Sequence, residues 1–229
     1  MTRYAALTLL VCSNALAQGP ARANKVPAPG PVAVARTFLP PNSYLATLYS
    51  FNFRLGRVVK RWPAVLTAHV LAPDSHDIVF AYYTPRTVHR MSKTLFVALL
   101  HRGAGGYQEV YVVSYRDHVL LIPDSIRVLR LKGLETDAIS VVAGVGAALG
   151  GRLDVFIWRD PWGWRNVFPP NSTGYTYFFP RKSGLEVALS TANHPGLNVS
   201  PPPLWYRWDG KRFIKVPPPK GSAGWPLPD

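Results

Sequence analysis

Leu153-Asp-Val-Phe-Ile-Trp158, then Asp160-Pro-Trp-Gly163, then Trp164-Arg-Asn-Val167 reads as a strand, a turn and a returning strand. The chain writes this phrase three times. An earlier copy is Leu95-Phe-Val-Ala-Leu-Leu100 followed by Tyr107-Gln-Glu-Val110. A later one is Leu204-Trp-Tyr-Arg-Trp208, Asp209-Gly-Lys-Arg212 and Phe213-Ile-Lys-Val216. From Tyr107 to Trp164 is 57 residues and from Trp164 to Phe213 is 49, so one unit recurs at a loosely fixed period. A period of this size indicates stacked β units, each too small to bury its own apolar face. The repeat speaks to the fold and is silent on the ligand.

Working outward, period-2 patterning continues on both sides. Phe51–Leu55, Val65–Leu71, Ile78–Tyr83, Tyr107–Val113, Ile126–Leu131, Ile139–Ala143, Tyr175–Phe179 and Val187–Leu189 are short runs rich in β-branched and aromatic residues. No segment offers twelve residues of clean 3.6 periodicity with caps. The expectation is an all-β, antiparallel chain with at least eight strands and no helix longer than about two turns in its folded body. Asp209-Gly210 is a two-residue hairpin signal of the type I′ kind. Gly144-Val-Gly146-Ala-Ala-Leu-Gly150 has the look of a dinucleotide-binding turn. The next strand begins too soon for the crossover such a fold needs, so the glycines read as a hairpin connection.

Each copy is preceded by an acidic residue leading an inner apolar strand: Asp77-Ile-Val-Phe80, Asp137-Ala-Ile-Ser-Val-Val142 and Glu186-Val-Ala-Leu189. Together with Trp208-Asp209-Gly210-Lys211-Arg212-Phe213, this resembles the FG-GAP or VCBS-type repeat of β-propeller proteins over about Val65 to Val216. The resemblance implies a propeller-like array, partial or degenerate, of three to four units. Three units are fewer than the ~4–8 blades that close a propeller. The strands around Phe51 could build a fourth, the array could stay open, or an edge could self-associate. In the family, an Asp-rich loop often chelates Ca²⁺. Here the first loop keeps Asp74 and Asp77, the second Glu135 and Asp137, the third only Glu186. Asp74 and Asp77 are therefore the candidate metal ligands, although Ca²⁺ wants ~6–8 oxygens. The alternative is that Asp77, Asp137 and Glu186 accept backbone N–H groups at the corners of the units, and no cofactor is expected.

The flanks differ in character from this body. In residues 1–17, Arg3 precedes a short apolar run and Ala15-Leu-Ala17 offers a cleavage site, the layout of a secretory signal peptide. Residues 18–42 are rich in proline and read as an extended linker, 43–216 as the repeat domain, and 217–229 as a Pro/Gly-rich tail. The only cysteine, Cys12, lies in the signal segment, so the mature chain would carry no disulfide and no thiolate chemistry. No stretch reaches the ~20 apolar residues of a transmembrane helix. These features suggest an exported bacterial protein, periplasmic or extracellular.

The net charge is +14, and no Asp or Glu precedes Asp74. Such a balance attracts polyanions and also serves solubility. The six histidines have no zinc-like spacing, there is no G-x-S-x-G elbow, and no carboxylate pair stands out among 12 acids. Asp74, His76 and Asp77 form the one tight acid/His cluster. Exposed aromatics beside arginines are the better functional signal, and Trp162 at a turn apex, with Arg159 and Arg165, is the candidate partner-binding patch. The sequence thus suggests a non-enzymatic binding or scaffold protein of the cell envelope whose partner is a protein or an acidic glycan. The alternative is a hydrolase acting on carbohydrate or cell-wall polymer. Nucleic acid is not expected unless the basic residues from Arg54 to Arg61 share a face with exposed aromatics.

Overall fold

In the computed structural model the residues described are 29–52, 57–85, 93–116, 119–120, 125–144, 151–170, 172–181, 184–190 and 203–219. They contain one short helix, α1 (Pro31–Thr37), and strands that all pair antiparallel. The first half holds β1 (Tyr44–Leu45), β2 (Thr47–Asn52), β3 (Arg57–Pro63), β4 (Val65–Ala68), β5 (Asp77–Pro85), β6 (Lys93–Gly103) and β7 (Gly106–Arg116). Then come β8 (Val119–Leu120), β9 (Ile126–Leu129), β10 (Ala138–Gly144), β11 (Gly151–Arg159) and β12 (Gly163–Asn166). The last four are β13 (Thr173–Arg181), β14 (Gly184–Ser190), β15 (Leu204–Trp208) and β16 (Phe213–Val216). The all-β antiparallel expectation holds.

The repeat emerges as three four-stranded meanders: β4-β5-β6-β7, β9-β10-β11-β12 and β13-β14-β15-β16. β1 extends the edge of the first, pairing the far half of β5 beyond β4, and β8 does the same beside β10. β2 and β3 form a separate hairpin inserted between β1 and β4. β13 links the second and third meanders, because Thr173 and Gly174 pair with β11 before the strand turns to β14.

Alternation explains the stacking. One face of the first meander (Val79, Ala81, Leu95, Val97, Leu99, Tyr115) packs on one face of the second (Ile139, Val141, Ala143, Phe156, Trp164). The second meander's other face (Ala138, Val142, Leu153, Val155, Ile157) packs on Val187, Leu189, Tyr206, Trp208 and Phe213 of the third. A strand buried on both faces has no polar side to show, and β10 is buried along its whole length. The first meander's remaining face (Ile78, Phe80, Tyr82, Ala98, Leu100) is closed by Val34 and Ala35 of α1.

The closing aromatics occupy corresponding places in the three meanders. Tyr107, Trp164 and Phe213 pair across their turns with Arg102, Trp158 and Trp208. Each packs toward the layer that precedes its own: the α1 side, the first meander and the second. Trp158 and Trp208 are thus one repeat position, and Trp164 and Phe213 another.

Three expectations need correction. Within the proline-rich 18–42 segment, Pro31–Thr37 is helical, since proline at the start of a helix loses no hydrogen bond and Val34 and Ala35 find an apolar face to cover. The Asp209-Gly210 turn is longer than a two-residue hairpin. Trp208 pairs with Phe213, Gly210 alone adopts positive φ (100°), and Asp209 Oδ1 accepts the N–H groups of Lys211 and Arg212. Glu186 lies within β14 opposite Arg207 and does not lead the strand. Residues 1–17, read from the sequence as a signal peptide, residues 145–150 of the glycine loop and the end of the tail lie outside the described residues.

Candidate functional site

Antiparallel meanders send alternate connections to opposite ends, and three neighbouring strand ends bring the β4–β5 loop, the β6–β7 turn and the β9–β10 loop together at one end of the stack. Two backbone-level ties show this. His69 N–H donates to Asp137 Oδ2 (2.8 Å), and Asp137 N–H donates to the His69 carbonyl (2.8 Å). Trp208 Nε1 at the end of β15 donates to the Lys132 carbonyl of the β9–β10 loop (2.9 Å), which brings the third meander to the same end.

Asp77 organises the first loop. It is fully buried, and its Oδ2 accepts from Val70 N–H (2.8 Å), Leu71 N–H (2.9 Å) and Ser75 Oγ (2.6 Å). Its Oδ1 accepts from His101 Nδ1 (2.8 Å). A carboxylate cannot be buried without such donors, and here they are supplied from the loop it closes. His69 Nδ1 donates to the Ser75 carbonyl, which can only accept, so the neutral tautomer compatible with this contact has Nε2 as its acceptor.

Around this frame lies a cavity of about 380 Å³ lined by Thr67, Ala68, His69, His76, Asp77, Arg102 and Tyr107. The Arg102 guanidinium carbon sits 5.9 Å from the Tyr107 ring centroid. A second, smaller cavity of about 220 Å³ shares His69 with the first and is otherwise lined by Pro73, Arg130, Leu134, Glu135, Thr136 and Asp137. The Arg130 side chain is 85% exposed, its Nε 3.6 Å from Asp137 Oδ1.

Asp74 is exposed, both oxygens of Asp77 are engaged by protein donors, and among the described residues no three His, Asp or Glu side chains are grouped to share an ion. Asp77 and Asp137 instead accept backbone N–H groups, the alternative that the sequence left open. Asp74 and His76 are exposed and Asp77 buried, so the acid/His cluster is divided between solvent and core.

Trp162 is 65% exposed at the β11–β12 turn, with the Arg165 guanidinium 5.9 Å from its ring. Arg159 is exposed on the same turn. Gly163 adopts φ 74°, and a β-carbon there would meet the Tyr111 ring at 3.2 Å. The cavity residues His69, Arg102 and Tyr107 escaped the sequence reading. A usable signal existed: Arg102 occupies the position that holds Trp158 and Trp208 in the later units.

No family model matches this chain, and neither a curated protein nor a solved structure is similar to it. Among the described residues no helix is long and apolar enough to cross a membrane.

Proposed function

We propose that this chain is an exported, non-enzymatic binding or scaffold protein of a bacterial cell envelope, built from propeller-like repeats. Face-to-face stacking of three four-stranded meanders supports the repeat reading. The observation that carries the binding reading is the committed state of the carboxylates at the loop end. Asp77 is engaged through both oxygens, and Asp137, which shares the second cavity with Glu135, is held by the His69 N–H and lies beside Arg130, so the first cavity offers no pair of facing carboxylates for general acid–base work on a glycosidic bond. Ser75 Oγ donates to Asp77 and is not aligned as a nucleophile on a histidine. What remains is a concave surface of donors and aromatic rings, suited to holding a partner.

Incubation of the protein with cell-wall polymers should leave their length unchanged while the protein is retained on an envelope fraction. New reducing ends in that incubation would replace this reading with the hydrolase. N-terminal sequencing of the exported product should start near Gln18; an uncleaved Met1 would remove the export claim.

A further inference from the structure

Resting on the binding reading above, we infer that the two cavities that share His69 hold a segment of an acidic polysaccharide, with Arg102 and Arg130 each taking a sugar carboxylate. The first cavity supplies what one acidic sugar needs. Arg102 offers a planar fork of donors for a carboxylate. His69 Nε2, in the tautomer set by the Ser75 carbonyl, accepts from a sugar hydroxyl. Tyr107 gives a half-buried aromatic wall and a phenolic hydroxyl. Asp77, the acid in this cavity, is fully buried and has both oxygens engaged by protein donors. About 380 Å³ falls within the ~300–1,000 Å³ of small-molecule sites.

The second cavity repeats the cation. Arg130 projects into solvent from the neighbouring loop with its Nε 3.6 Å from Asp137 Oδ1, its outer guanidinium donors are offered to a ligand, and Glu135 is the exposed acid of this cavity. His69 lines both cavities, so a ligand that occupies the two would meet Arg102 in one and Arg130 in the other. Two cations spaced along a groove, with hydroxyl partners between them, suit a polymer carrying a carboxylate on successive sugars. The repeat explains why the groove lies here. The later units fill the equivalent position with Trp158 and Trp208, whereas the first unit places Arg102 there.

Because the chain is strongly basic, any polyanion will adhere to it at low salt, so the test must separate this site from bulk charge. The mature protein is titrated at about 0.15 M salt with polygalacturonate, alginate, neutral dextran and duplex DNA. Three variants are compared after thermal melts show that they fold: Arg102→Gln, Arg130→Gln, and Lys60→Gln/Arg61→Gln on the β2–β3 hairpin. The expected result is binding to an acidic polysaccharide and not to dextran. Arg102→Gln should weaken it about tenfold, as loss of a charge-assisted hydrogen-bond pair implies. Arg130→Gln should weaken it less, and the hairpin variant should bind as the parent does. Equal losses in the hairpin and Arg102 variants would overturn the site and show bulk attraction. DNA binding that depends on Arg102 would overturn the sugar assignment. No binding to either acidic polymer, with retention on an envelope fraction intact, would sink this inference and spare the binding reading; loss of both would sink the two together.

Discussion

The two seams between meanders are built from the same repeat, yet they differ in kind. The seam between the first and second buries a charge. Asp154 is 1% exposed, and Arg152 Nε reaches its two oxygens at 3.1 and 3.0 Å. Asn166 Nδ2 donates to it at 2.6 Å, and the same amide's Oδ1 accepts Val155 and Phe168 N–H groups. Tyr115 of the first meander lies beside this group, and burial, then the Asp154 charge, push its hydroxyl pKa upward. Among the described residues the seam between the second and third buries no carboxylate, and its cation, Arg127, lies 5.1 Å from the Phe178 ring. There Phe168, Tyr206, Trp208 and Phe213 form a ring cluster with centroids 5.0–5.5 Å apart, Trp208 Nε1 donates to the Lys132 carbonyl and Phe213 N–H to the Val167 carbonyl. A repeat fixes which positions face a seam; side-chain chemistry at those positions decides whether the seam is dry or wired.

The largest effect expected from breaking the first seam is at Trp164. It stacks on Phe156 and is 4% exposed, so Trp164→Ala should cost about 3–5 kcal/mol and unfold or aggregate the protein. Trp162→Ala, two residues earlier and mostly exposed, should change stability by about 0.5 kcal/mol or less. Comparable losses of Tm in the two variants would show that the register of the closing aromatics is wrong.

Next comes the buried charge. Asp154→Ala leaves the Asn166 amide without its acceptor and should cost about 1–3 kcal/mol in denaturant unfolding. A neutral result would mean the charge is not needed to hold the seam.

The Tyr115 hydroxyl gives that seam an alkaline sensitivity. Its folded pKa is raised above the ordinary tyrosine value of 10.0, so above that pH the folded state binds the proton that the unfolded state has lost. Stability therefore falls as pH rises past about 10, by at most about 1.4 kcal/mol per pH unit for one group. Tyr115→Phe should flatten this part of the profile. An unchanged slope between pH 9 and 11 would remove Tyr115 as its source.

The smallest effect belongs to the second seam. Trp208→Phe keeps the ring and loses one hydrogen bond, so about 1 kcal/mol is expected in the same unfolding measurement. A loss as large as that of Trp164→Ala would mean the second seam depends on this one side-chain hydrogen bond.

Alternation and repetition were enough to place the inner and closing strands, because a side chain's face in a strand follows from its parity alone. They also separated exposed Trp162 from buried Trp164, two residues apart and yet turn against strand. Short or irregular edges were not legible: β1 and β8 contain two residues each, and the basic run Arg57–Pro63 forms β3 without apolar alternation. α1 was hidden by its prolines, since seven residues form a helix here only with an apolar face to cover. The sequence by itself determined the class of fold, the repeat and the candidacy of Asp77 and Asp137 as corner acceptors. Tertiary structure alone decided that both carboxylates are committed to backbone and that His69, Arg102, Tyr107 and Arg130 share one end of the stack. The reason is that strand pattern is a local property of the chain. A groove is made where loops distant in sequence are brought together by the packing of one meander on the next.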